Sequence, residues 1–182
     1  MLIVDAQVHL WANHVPGNPG HRQIPDFKAA DLLKEMDEGG INAAIIHPPS
    51  WDPGSDGLAL DAAKAHPNRL SILGKIPLEK PESKSLVDGW LAQPGMLGFR
   101  FSFTQPHQAT WPTDGTMEWI WPEAERLGIP IALMASNYMS MVAPIAEKHP
   151  NLKLIVDHLG RVGGTVDAEC FATLPEMLSL AK

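Results

Sequence analysis

The sequence is poor in cysteine, in long apolar runs and in clustered basic residues. Its single cysteine, Cys170, excludes an internal disulfide and a zinc site built from cysteine thiolates, and a buried apolar thiol is expected there. No stretch approaches the roughly 18 apolar residues of a membrane span. Asp5 interrupts the apolar start, which lacks the basic flank of a signal peptide. These absences predict a cytoplasmic protein with no membrane partner.

Positive charge is also sparse. The 182 residues include 14 Lys and Arg against 21 Asp and Glu, for a net charge of −7, and the basic residues form no run. Nucleic-acid-binding surfaces are basic and clustered. We therefore predict no nucleic-acid partner, and association into a homo-oligomer stays open.

Short apolar runs alternate with amphipathic stretches along the whole chain. This alternation is typical of successive βα units and predicts one α/β domain over residues 1–182. The predicted strands are 2–11, 43–47, 70–76, 97–103, 129–134 and 152–157. After a first helix ending at Gly39, the predicted helices are about 57–66, 81–92, 116–127, 139–149 and 171–181.

Six parallel strands fit either an open doubly wound sheet or part of a (β/α)8 barrel. No Gly-x-Gly-x-x-Gly or Walker loop follows any strand, which disfavours a nucleotide-binding open sheet. Asp5, Gln7 and His9 are spaced by two in the first strand, so a regular strand would place them on one face. Polar side chains at the carboxyl end of a strand are where a barrel carries its chemistry. We therefore predict a TIM (β/α)8 barrel truncated after about six βα units.

Four segments in order carry a resemblance to a known family. The start Asp5-Ala-Gln-Val-His9 resembles the Asp-x-His-x-His strand of the amidohydrolase superfamily, in its amidohydrolase-related branch of lactonases and metal-dependent decarboxylases. Gly98-Phe-Arg-Phe101 is similar to strand four of that branch, 123–130 to its helix leading into strand five, and 154–160 to its strand six. The resemblance covers essentially the whole chain and implies a barrel whose strands seven and eight are absent here.

The resemblance also implies a metal site, from which this sequence departs. Family members hold a divalent metal, usually zinc, with both first-strand histidines, a histidine on strand five and an aspartate on strand eight. Gln7 replaces the first histidine, strand five has none, and strand eight is absent, so only His9 is retained. The expectation is either no cofactor or a zinc-type divalent metal with His9 as a ligand.

The candidate catalytic residues are His9, His158 and Asp5. His9 suits a general base or a group that orients water, since imidazole titrates near neutrality. The resemblance implies that His158 acts on the substrate or its water; a core histidine bonded to backbone is the alternative. Asp5 is either catalytic or a buried capping carboxylate. Neighbouring residues of a strand point oppositely, so Asp157 and His158 are not expected to stack.

The candidate substrate-binding residues are Gln7, Arg100, His47 and Trp51. A guanidinium can grip a substrate carboxylate with two hydrogen bonds, although Arg100 could instead pair with a carboxylate such as Asp5. Gln7 could donate to a substrate carbonyl or fill the former metal position, and His47 could line the pocket mouth. Trp51 could form an aromatic wall for the substrate or pack loops together. Other aromatic and imidazole side chains fall in loops after strands. Trp11 and Trp111 are expected to form aromatic walls or to pack loops together, and His14, His21 and His107 are expected to be solvated.

The predicted function is that of a hydrolase acting on a small carboxylated or cyclic, lactone-like substrate by water attack on a carbonyl. One alternative is a metal-dependent decarboxylase of an aromatic or unsaturated acid. A second is a catalytically silent fragment or binding protein, because most of the family's metal ligands are replaced or missing.

Overall fold

The computed structural model describes residues 1–161 and 165–180. They form two compact units. The first unit comprises Met1–Lys75 and Gly89–Gly98, and the second unit comprises Ile76–Asp88 and residues 99–182.

Strands and helices alternate along the chain as predicted. Most strand residues are apolar, and β-branched or aromatic residues, which favour the pleated backbone, occur in every strand. The strands are β1 Val4–Val8, β2 Ala43–Ile46, β3 Leu70–Gly74, β4 Met96–Phe101, β5 Ile131–Leu133 and β6 Leu154–Val156. The helices are α1 Ala29–Glu38, α2 Ser55–Ala65, α3 Ser83–Val87, α4 Ile120–Leu127, α5 Met139–Lys148 and α6 Leu174–Ser179.

Consecutive strands pair in parallel. In the first unit Val4 and Asp5 of β1 lie opposite Ala43 and Ala44, and β2 pairs with β3. In the second unit the end of β4 pairs with β5, and β5 with β6. The order in the sheet is β1-β2-β3-β4-β5-β6. A doubly wound sheet has a point where this order reverses, so the open-sheet alternative is wrong and the order is that of successive barrel strands.

Apolar side chains of strands and helices form the core of each unit. In the first unit Ile46 and Ile72 are at most 1% exposed, and Leu32 and Met36 form the inward stripe of α1. In the second unit Phe99, Ile131 and Leu133 are fully buried. Cys170 is buried, as predicted. No helix in the described part of the chain combines the length and apolar character needed to cross a membrane.

Two predicted helices are each divided into two shorter elements. The stretch predicted as one helix over 81–92 contains α3 and a separate 3-10 turn, Trp90–Ala92. Gly89 lies between them, and glycine is a poor helix former. The last predicted helix divides into a 3-10 turn, Asp167–Phe171, and α6. Pro175 lies in the first turn of α6, where proline is tolerated. Position 181, its predicted end, lies outside the described residues.

A carboxylate and an imidazole join the end of α4 to the end of α5. Oε1 of Glu125 accepts the Asn151 backbone N–H at 2.8 Å, and Oε2 lies 3.1 Å from Nδ1 of buried His149. The Asn151 amide, and then His149, lower the pKa of the Glu125 carboxyl from its usual value. The ionised carboxylate therefore stabilises the folded chain.

The Glu125 contacts predict a pH dependence of stability. A carboxyl whose pKa is lower folded than unfolded stabilises above the unfolded value of about 4.3. That contribution disappears as the pH falls through the folded pKa. We expect Glu125→Gln to lower the urea midpoint at pH 7 and to make its decline below about pH 4.3 shallower. Exposed Glu147 on α5 provides the control Glu147→Gln; equal acid declines in both variants and the parent would contradict the prediction.

Both the backbone conformation and the close packing at position 95 require glycine. Its φ is +75°, and a Cβ there would lie 2.5 Å from the Cβ of Ala63. Gly128, after α4, has φ +67° but open space around its Cα. Gly95→Ala should lower the free energy of unfolding by at least about 2 kcal/mol. Gly128→Ala should cost only the left-handed strain, about 1 kcal/mol. Urea unfolding followed by circular dichroism measures both, and equal losses would show that the Ala63 contact is unimportant.

Candidate active site

A β-bulge changes the predicted geometry of the first strand. Between the pairs Asp5–Ala44 and Val8–Ile46, β1 advances three residues while β2 advances two. The extra residue breaks the alternation on which a shared face for Asp5, Gln7 and His9 depends. Asp5 is exposed, and its carboxylate accepts the Gln7 backbone N–H at 3.0 Å. The expectation of a buried Asp5 is therefore wrong.

The bulge places His9 next to His47. Because Val8 lies opposite Ile46, the residues that follow both strands are neighbours. Without the extra residue, His9 would be in register with Pro48. Bulges commonly redirect a side chain in this way beside active sites.

Backbone carbonyls orient both imidazoles. Nδ1 of His9 lies 2.6 Å from the carbonyl oxygen of His47, and Nε2 of His47 lies 3.1 Å from the carbonyl oxygen of Ala6. A carbonyl can only accept, so each of these nitrogens donates a proton. In neutral His9 the lone pair is therefore on Nε2. His47 is 1% exposed, so the expectation that it lines a pocket mouth is wrong, because its ring is buried and bonded to the Ala6 carbonyl. It supports His9, whose Nε2 carries the lone pair of a base.

His9 belongs to an aromatic cluster in the first unit. The cluster consists of the rings of His9, His21, Trp51, Trp11 and Phe27. The ring of His21 lies 5.9 Å from that of His9 and 6.5 Å from that of Trp51, between centroids. Trp11 lies 5.7 Å from Trp51 and 5.2 Å from Phe27. Trp51 thus lies beside His21 and Trp11, and Trp11 packs the two loops together.

The sequence analysis assigned His21 wrongly and missed Asp52. His21 is half-buried against two rings instead of solvated. Asp52 is 3% exposed, and its two carboxylate oxygens accept the backbone N–H groups of Ala12 at 3.0 Å and Gly54 at 2.8 Å. It joins the loops after β1 and β2. The segment Asp52-Pro-Gly54 is typical of an Asx turn, a signal that predicts the contact to Gly54 but not the one to Ala12.

Arg100 of the second unit forms a buried ion pair. Its Nε donates to Oδ2 of Asp157 at 2.7 Å, and the two side chains are 10% and 2% exposed. Arg100 therefore pairs with a carboxylate, as the alternative to substrate binding expected, but the partner is Asp157 and not Asp5. The pairing uses the Nε edge of the guanidinium. Nη2 lies 4.0 Å from the sulfur of Met134, which is a weak hydrogen-bond acceptor.

His158 follows Asp157 in a left-handed backbone conformation. Its φ and ψ are 53° and 29°, and those of Leu159 are 56° and 28°. Residues other than glycine adopt this region at an energetic cost, and such residues cluster at functional sites. Asp157 is buried and His158 is exposed, so the two side chains do not stack. His158 is therefore not a core histidine.

The residues described do not fit a zinc site. Zinc in proteins takes at least three protein ligands. Within 1–161 and 165–180, no group of three or more His, Cys, Asp or Glu side chains is placed to hold a metal ion.

The chain belongs to the amidohydrolase family, because the family model described as Amidohydrolase matches residues 4–182. A comparison with curated proteins gives no match. Among solved structures, it resembles an Acinetobacter baumannii protein described as a probable 2-pyrone-4,6-dicarboxylic acid hydrolase with citric acid bound, with 18% identity and a TM-score of 0.71. It also resembles a Burkholderia multivorans amidohydrolase with bound zinc, with 18% identity and a TM-score of 0.76.

Both similarities extend over 99% of this chain, which spans 66% and 67% of the length of those two proteins. At this identity they show the fold, and the predicted α/β class with six βα units of a (β/α)8 barrel is confirmed. Membership of the amidohydrolase family supports an enzyme of the hydrolase type. The roles of the individual site residues remain predictions.

The Arg100–Asp157 pair predicts strong coupling between the two side chains. Removing one partner of a buried ion pair leaves a charge uncompensated and costs about 3–5 kcal/mol. We expect Arg100→Met or Asp157→Leu alone to lose stability in this range. The double variant should be more stable than either single variant, because no buried charge remains. Urea unfolding of the four proteins measures the coupling, and additive losses would show that the two side chains are energetically independent.

Proposed function

We propose that this protein is a hydrolase that opens a small, carboxylated, lactone-like ring by water attack on the ring carbonyl. The observation that carries the proposal is the orientation of His9. Its Nδ1–H is held by the His47 carbonyl, so in neutral His9 the basic lone pair is on Nε2, the nitrogen that we assign to taking a proton from water. The family membership and the substrate named for the Acinetobacter baumannii protein support this reaction class.

The first unit supplies the proton-transfer chemistry in this proposal. Nε2 of His9 accepts a proton from the attacking water, a contribution of about 10²–10⁴ in rate for a well-placed base. The bulge places His9, and Asp5 supports it by accepting the Gln7 N–H. Gln7 donates its side-chain amide to the substrate, while Trp51 provides a flat wall against the ring. His47 acts through His9 as a positioning residue.

The second unit supplies groups suited to charge recognition. Arg100 is the group suited to a substrate carboxylate, because its bond to Asp157 is made through Nε and keeps the guanidinium fixed. A fixed guanidinium loses less conformational entropy when it binds. Exposed His158 acts on the substrate or its water, and its strained backbone sets the direction of the side chain.

The test compares His9→Asn with the parent protein on 2-pyrone-4,6-dicarboxylate in ¹⁸O-labelled water. Asparagine keeps a donor near the Nδ1 position for the His47 carbonyl but has no basic nitrogen. We expect ring opening with one ¹⁸O per product, and a loss of about 10²–10⁴ in kcat/KM for His9→Asn.

His66, at the end of α2 in the same unit, provides the control His66→Gln, which should retain parental kcat/KM. Release of carbon dioxide with no ¹⁸O in the organic product would favour the decarboxylase instead. Saturable binding without turnover would favour the silent binding protein. Full activity in His9→Asn would remove His9 from the mechanism.

A further inference from the structure

The loop that joins β1 to α1 (residues 12–25) is held in place by hydrogen bonds between its own residues. The side-chain Nε2 of Gln23 donates to the carbonyl oxygens of Pro16 at 3.2 Å, Asn18 at 3.0 Å and His21 at 2.9 Å. The backbone N–H of His21 donates to the carbonyl of Asn18 at 3.0 Å. These bonds hold the backbone on both sides of His21. Its side chain therefore projects from a defined position.

The same loop is closed at its base. Trp11 and Phe27 exchange two backbone hydrogen bonds of 3.0 Å, and the His14 N–H donates to the Pro25 carbonyl at 3.0 Å. The indole Nε1 of Trp11 donates to the carbonyl of Ile24 at 2.9 Å. A long connection held at its base and middle is typical of a binding loop and not of a plain connector.

This loop presents His21 to His9. The two ring centroids are 5.9 Å apart with a tilt of 58°, and the indole of Trp51 lies beside His21. Neither ring nitrogen of His21 bonds to another protein atom within the described residues. Half-buried His21 keeps part of its surface in contact with solvent, while His9 is held in one tautomer by the His47 carbonyl.

The charged groups on the neighbouring elements are engaged elsewhere. The guanidinium of Arg22 pairs with Glu35 and stacks on the ring of Phe27. The carboxylate of Asp26 accepts the Asn13 N–H at 3.1 Å and lies 3.4 Å from Nζ of Lys28. Asp52 is occupied by two backbone N–H groups. His9 is thus the titratable group whose ring contacts His21.

We propose that His21 is the general acid of the reaction and His9 its general base. Two imidazoles in different protonation states can share one hydrolysis, one accepting a proton while the other donates. Nε2 of His9 takes a proton from water as the water oxygen bonds to the ring carbonyl carbon. When the C–O bond to the ring oxygen breaks, protonated His21 gives that oxygen its proton, so a hydroxy acid is formed. A proton then returns from His9 to His21 through solvent. This assignment rests on the proposed function.

A leaving-group comparison tests the proposal, because an acid matters most when the departing oxygen is strongly basic. The probes are two carboxylated lactones of equal ring size: dihydrocoumarin carboxylate, which releases a phenol, and δ-valerolactone carboxylate, which releases an alcohol. His21→Gln should lower kcat/KM for the alkyl lactone by about 10²-fold or more and for the aryl lactone by less than about tenfold. His9→Asn should lower both strongly, and His14→Gln, an exposed change in the same loop, should leave both unchanged.

The outcomes separate this inference from the proposed function. An equal loss on both lactones in His21→Gln would mean a structural role, and no loss would mean no role; either result overturns the assignment while the proposed function stands. Turnover of neither lactone by the parent protein would overturn both. His21→Ala is measured in parallel, and the comparison uses the variant whose circular dichroism matches the parent. A loss confined to the alkyl lactone supports His21 as the acid.

Discussion

Parallel pairing between consecutive strands is the constraint on which the site of the first unit depends. Two parallel neighbours must end at the same edge of a sheet, and the chain must return between them through a crossover. Because β1 and β2 are such neighbours, the residues following Val8 and Ile46 come together. The bond between His9 and the His47 carbonyl follows from this register. The loops after both strands meet for the same reason, and buried Asp52 joins them.

The two units hold their polar groups in different ways. In the first unit the imidazoles are fixed by backbone carbonyls, which place the proton of neutral His9 on Nδ1 and its lone pair on Nε2. In the second unit Arg100 is fixed by the full charge of Asp157, which neutralises it while holding it still. The first arrangement suits proton transfer, and the second suits rigid presentation of hydrogen-bond donors.

Hydrophobic patterning was sufficient to predict the class, the six strands and their positions, since period and residue type reflect burial directly. It could not reveal the bulge in β1. A bulge is a difference between two strands, and the spacing of Asp5, Gln7 and His9 within one strand contains no information about its partner. The partner of Arg100 was unpredictable for a related reason, because Asp157 lies 57 positions away. His21 was assigned wrongly because its position depends on hydrogen bonds from the Gln23 side chain to loop carbonyls. A periodic sequence pattern gives no information about such bonds.

Asp52 has a consequence for how this protein can change during evolution. Both groups that it anchors are backbone amides, at Ala12 and Gly54. Every residue except proline offers such an amide, so the anchor places little demand on the identity of its partners. Mutations can therefore accumulate in the two loops and alter their reactivity or ligand preference without releasing them from each other. One buried carboxylate can therefore keep the two loops together while the side chains on them change.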